Sequence, residues 1–96
     1  MYLVERTTYY IDLSGFESFS VKGVVGIFDN VSIVKEIVRE EKTNFRRCKH
    51  RMADLKASKM NDGGYLVSYS EYNSMGDEVG NYFITLTPVK INERIR

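Results

Sequence analysis

One short stretch of the chain holds most of the side chains able to grip an anion. Between Lys42 and Lys59 there are seven Lys/Arg and one Asp, a local charge of +6. The other seven Lys/Arg and twelve Asp/Glu leave −5, so the 96-residue chain as a whole is only +1. Arg46, Arg47, Lys49, His50, Arg51 and Lys56 are the candidate contacts. A guanidinium presents a planar fork that bonds a carboxylate or a phosphate through two N–H groups. A cluster of this kind therefore suits an acidic protein surface, a nucleotide-like anion or the backbone of a nucleic acid. The near-neutral total excludes a chain that coats nucleic acid over its whole surface.

Combinations that would break or make bonds are thin. His50 as a general base needs an orienting carboxylate and a nucleophile within reach. On a helix Asp54, four residues on, supplies the first. Cys48 is two residues away, about 200° around such a helix, on the wrong side for a dyad. With one Cys and one His, a Cys-based zinc site cannot be assembled from one chain. Gly23-Val-Val-Gly26 lacks the spacing of a phosphate-cradling loop. Asp62 with Gly63 and Gly64, and Gly76 with Asp77 and Glu78, lack the alternating acids of a calcium loop. No catalytic residue, metal or cofactor is assigned, and the chain reads as a binding protein rather than an enzyme.

The elements that must carry these residues follow from periodicity. Residues 2–12 are rich in β-branched and aromatic types on both faces, the pattern of a central strand. Residues 19–28 place Phe19, Val21, Val25 and Ile27 on one face of a second strand, joined to the first as a hairpin through the loop 13–18. Asp29 or Asn30 caps a helix whose stripe is Val31, Val34, Ile37 and Val38. Phe45, Cys48, Met52 and Leu55 step by three, four and three, which predicts a second helix from about Asn44 to Lys59, stopped at Gly63-Gly64. Strands follow over 65–72, with Tyr65, Val67 and Tyr69 inward, and over 81–91. Pro88 makes the last an edge strand or ends it. The tail from Ile91 frays. The expected architecture is one α+β domain over 1–96, ββααββ, a four-stranded antiparallel sheet packed by two helices. The basic residues then wrap the wet side of the second helix, with no acid but Asp54 to balance them. The seven tyrosines lie on the strands, where aromatics pair across a sheet or, if exposed, stack bases.

YLVERTTYYID, VVGIFDNVSIVKEIVREE and the closing NYFITLTPVKIN resemble a set of small uncharacterised proteins of bacteria and their phages. Their shared pattern is a strand, a GIF-Asp/Ser phrase leading into a helix, and a closing strand. The resemblance spans about half the chain, leaves out the basic segment and brings no functional residues with it. It implies a phage or mobile-element origin and, by analogy with small phage proteins, a host-factor inhibitor used in counter-defence.

These readings converge on a protein that sequesters or blocks a host factor through the basic helix. A small nucleic-acid-binding module using the same helix is the alternative. No stretch approaches about 18 consecutive apolar residues, so no membrane span is expected. The N-terminus lacks a basic segment followed by an apolar one, so a cytoplasmic location is expected. Tyrosine on both faces of the sheet leaves more apolar surface than two helices cover, which predicts a homodimer.

Overall fold

A computed structural model describes residues 1–12 and 17–89 of the chain. In order come β1 (Tyr2–Ile11), β2 (Glu17–Phe28), α1 (Ile33–Arg47), β3 (Arg51–Lys59), β4 (Tyr65–Tyr72) and β5 (Glu78–Pro88). The strands form one antiparallel sheet ordered β2-β1-β5-β4-β3. Among the described residues the protein is mostly β with a single helix, which corrects the expected ββααββ arrangement. Residues 51–59 are a fifth strand, not helix. The two expected helices are one, running without a break through Lys42 and Asn44 to Arg47. The last strand does end at Pro88, but it lies in the interior of the sheet between β1 and β4. The loop expected over 13–18 falls outside the described residues except for Glu17 and Ser18, which begin β2; Ile91 and the tail also lie outside them.

β2 and β3 follow one another in the chain yet occupy opposite edges of the sheet. Four inter-strand steps of about 4.8 Å put those edges about 19 Å apart, and the 15 residues of α1 span about 22 Å at about 1.5 Å each. α1 is thus the crossover, and it is long enough to bridge the sheet in one piece. The helix starts later than the expected cap at Asp29 or Asn30: Ser32 is the N-cap residue, makes no side-chain cap bond, and its N–H donates to Asn30 Oδ1 at 2.5 Å.

The core lies between α1 and one face of the sheet. Val4, Val67, Tyr69, Tyr82, Ile84 and Leu86 meet Phe45 there, with Ile33, Val34, Ile37 and Val38 packed around them. The register explains the choice of residues. Val4 pairs with Leu86, Val67 with Ile84 and Tyr69 with Tyr82, so each pair projects to the same face. Residues on the alternate positions, among them Leu3, Thr7, Tyr9, Phe83 and Thr85, form the face that no described element covers. β2 departs from strict alternation. A bulge at Val24/Val25 puts Gly23 and Gly26 on the helix side together and sends Ile27 to the other side from Val21.

The expected second helix fails at one turn. Lys49 adopts φ 62°, the left-handed conformation. The Lys49 N–H donates to the Arg46 carbonyl at 3.0 Å and the His50 N–H to the Phe45 carbonyl at 2.7 Å. This closes the helix as a Schellman motif, in which glycine usually holds the left-handed position. A lysine there costs about 1 kcal/mol. The offset is tertiary. β3 gains a ladder with β4, interrupted only at the Asp54–Leu55 bulge, and His50 gains a partner 21 residues away. Of the expected apolar stripe only Phe45 is buried. Met52 is half-buried, while Cys48 and Leu55 are exposed.

Candidate anion-binding edge

The basic segment is a helix end followed by a sheet edge. Arg46 and Arg47 lie in the last turn of α1 and are exposed. Their charge also suits the negative end of the helix dipole, so part of their role is local. Lys49 is exposed in the turn that leaves the helix. Arg51 opens β3, with its guanidinium 4.7 Å from the centre of the Tyr72 ring. Lys56 follows the β3 bulge, where Asp54 takes φ 57°, and pairs in register with Ser68. Among the described residues no carboxylate forms an ion pair with Arg46, Arg47, Lys49, Arg51 or Lys56.

The register distributes these cations over both sides of the sheet. Lys56 is opposite Ser68, which is opposite Phe83, so Lys56 belongs to the uncovered face; Lys59 is opposite Tyr65 and belongs to the helix side. The structure therefore does not gather the six predicted residues onto one helix surface. It strings five of them along the α1 end and the outer rim of β3. A groove of about 230 Å³ on the uncovered face is lined by Asp54, Lys56, Ser68, Ser70, Asn81 and Phe83.

His50 leaves this set. Its Nδ1 is 2.5 Å from Glu71 Oε2, and the ring is half-buried. Asp54, expected to orient it, instead accepts from the Tyr72 hydroxyl at 3.3 Å, and that hydroxyl also reaches Glu78 at 3.1 Å. The hydrogen bond to Glu78, ahead of the other causes, raises the Tyr72 pKa. The other Glu71 oxygen accepts from the Tyr82 hydroxyl at 2.5 Å. Tyr82 stacks on Tyr69, with rings 5.1 Å apart and nearly parallel, and Arg6 lies over the Tyr82 ring at 5.1 Å. Arg6 is ion-paired with Glu41, a buried carboxylate on the sheet side of α1. Burial raises the pKa of both tyrosines: Tyr69 reaches about 12, and the bond to Glu71 adds to the shift at Tyr82.

This chain of Arg6, Glu41, Tyr82, Glu71 and His50 was missed from the sequence, although two signals mark it. Arg6 occupies an inward position between Val4 and Thr8 of β1. Glu41 interrupts the apolar face of α1, one turn from both Ile37 and Phe45. Chemically the network anchors. Both Glu71 oxygens are committed to groups of the fold, and they pin the turn after α1 onto β4 and β5.

Among the described residues no helix is long and apolar enough to cross a membrane, and no group of three or more His, Cys, Asp or Glu is placed to hold a metal ion. No family model, curated protein or solved structure matches the chain.

Proposed function

We propose that the protein is a non-enzymatic binding module that engages an acidic, extended polypeptide segment along β3 and the end of α1, and thereby keeps that segment from its other partners. The observation that carries this reading is the placement of unpaired cations on both sides of an open sheet edge. A flat anionic surface meets only one side of such an edge. An added strand projects alternate side chains to both, so its acids reach Arg51 and Lys56 on one side and Lys59 on the other while its backbone pairs with β3. Arg46, Arg47 and Lys49 extend the positive field beyond the end of the strand. The exposed, unpaired Cys48 suits a reducing cytoplasm.

Titration with an eight-residue peptide that carries Glu at both odd and even positions, followed by amide NMR, tests the reading. The expected result is movement of the amides of Arg51–Lys59, with binding weakened at least ten-fold by the pair Arg51→Glu and Lys56→Glu. Unmoved β3 amides overturn it. So does a single-stranded oligonucleotide that binds more tightly than the peptide with a steep salt dependence, which would assign the same cations to a phosphate backbone.

A further inference from the structure

The opposite edge of the sheet has a different character. β2 is a 12-residue strand with no neighbour on its outer side among the described residues. Phe19, Val21, Val24, Val25 and Ile27 along it are between 41% and 66% exposed. The core under α1 is built from β1, β5 and β4, and of the apolar residues of β2 only Phe28 packs against it. Edge strands are ordinarily guarded by charge, proline or shortness. β2 has no proline, and its Lys22 is drawn to Glu5 of β1 at 3.4 Å. Gly23 has open space where a side chain would be, and it opens onto a groove of about 280 Å³ between Val21, Val24 and Val25 on one side and Arg6, Thr8 and Tyr10 on the other.

We propose that β2 is a self-association edge and that its occupant is the β2 of a second copy of this chain, paired antiparallel about a two-fold axis through Val21. Three observations select this partner and this register. First, like edges can meet only here. Two β3 edges would oppose Arg51, Lys56 and Lys59 to one another, whereas β2 has no unbalanced described charge. Second, with Val21 opposite Val21, Phe19 of each copy falls opposite Gly23 of the other. Phe19, Val21 and Gly23 all lie on the helix side, because Tyr10, Thr8 and Arg6 are their partners in β1. The Phe19 ring is stacked on Tyr10 at 4.6 Å and still 57% exposed, so its outer side is available to cover the bare glycine. An aromatic set across from a strand glycine is a favourable cross-strand pair. Third, Lys22 then sits opposite Ser20 rather than opposite its own copy, so the pairing creates no like-charge contact. Antiparallel pairing about a two-fold closes on itself as a ten-stranded sheet, whereas β2 against β3 of the next copy would propagate without end.

Sedimentation equilibrium across a wide concentration range tests this. The expected result is a monomer–dimer equilibrium whose midpoint rises at least ten-fold in Val21→Lys, which places two like charges on the axis. Val21 is 54% exposed, so that variant keeps its fold, checked by an unchanged circular dichroism melt under monomeric conditions. A second variant, Gly23→Val, fills the notch that receives Phe19 and is expected to weaken the dimer as well. A chain that remains monomeric at the highest concentration overturns the proposal. So does a dimer indifferent to Val21→Lys, and so does a dimer lost in Lys56→Glu but retained in Val21→Lys, which would move the contact to β3.

Discussion

β2 and β3 bound the same sheet, each with one side of its backbone open, and they carry opposite chemistry. β2 displays valine, isoleucine and phenylalanine with a single described cation that β1 already occupies. β3 displays Arg51, Lys56 and Lys59 around a bulge, with Leu55 its one large exposed apolar residue. Both edges stay open because the crossover helix packs on the face of the sheet and pairs with neither outer strand. The difference shows that the backbone ladder of an open edge is an invitation without an address. Side chains supply the address. On the two proposals above, the cations of β3 select an acidic segment, while the balanced charge of β2 permits a second copy.

The same substitution made at each end of the sheet should separate the two edges most sharply. A Cβ on Gly64 would run into the Leu86 carbonyl oxygen, which is backbone and has little room to yield. Gly64→Ala is expected to destabilise by about 3 kcal/mol, loosening the turn that joins β3 to β4. Gly23→Ala on β2 meets nothing and is expected to gain about 0.5 kcal/mol from reduced freedom of the unfolded chain. Chemical denaturation of the two variants measures both. Equal losses would mean that the edges are supported alike.

A smaller effect is expected at Glu71. Glu71→Ala removes the acceptor shared by His50 and Tyr82 and leaves the buried Tyr82 hydroxyl without its partner, at a cost of about 2 kcal/mol. Hydrogen exchange should quicken at Arg51, Met52 and Ala53, where the chain enters β3, and stay unchanged along β2. Acceleration on both edges would show that the network supports the whole sheet rather than one rim.

A further effect is confined to high pH. Burial raises the Tyr69 pKa from 10.0 unfolded to about 12 folded. The folded state therefore holds its phenolic proton more tightly. The stabilisation is fully present below pH 10 and is lost as pH rises from 10 toward 12. Thermal melts should be flat with respect to Tyr69 below pH 10 and fall above it. Tyr69→Phe should flatten the alkaline limb. Tyr69 and its stacking partner Tyr82 lie on β4 and β5, so β3, hydrogen-bonded to β4, should loosen ahead of β2.

Much of the sheet was legible in advance. β1 reads as central because both of its faces carry apolar groups, and the inward sets Val67–Tyr69 and Tyr82–Ile84–Leu86 follow from alternation alone. The segment after Asn44 was not legible, for a definite reason. Phe45, Cys48, Met52 and Leu55 satisfy a helical stripe that local rules cannot reject, and the residue that ends the helix is Lys49, where glycine would have announced the stop. What overrides the stripe is non-local: the ladder with β4 and the His50–Glu71 contact, both made with residues beyond the Met60–Gly64 turn. The basic residues were legible as a group, but their division between two sides of an edge depends on strand register, which charge counting does not contain. The apolar exposure of β2 was equally hidden, since its valines read as core until the helix is seen to fall short of them.

The position of β1 sets an order on assembly. Tyr2 pairs with Pro88 and Tyr10 with Gly80, so the first described strand borders the last described one. Until β5 emerges from the ribosome, β1 can hold only its hairpin with β2, and the inner rim of β1 stands open. Closure of the sheet has to join two parts that lie far apart in the chain. Loop-closure entropy makes such long-range pairing slow, so the nascent chain spends its waiting time with two apolar strand rims exposed. How long β1 and β2 stand without β5 is thus set by the order of the strands along the chain and not by any contact of the finished fold.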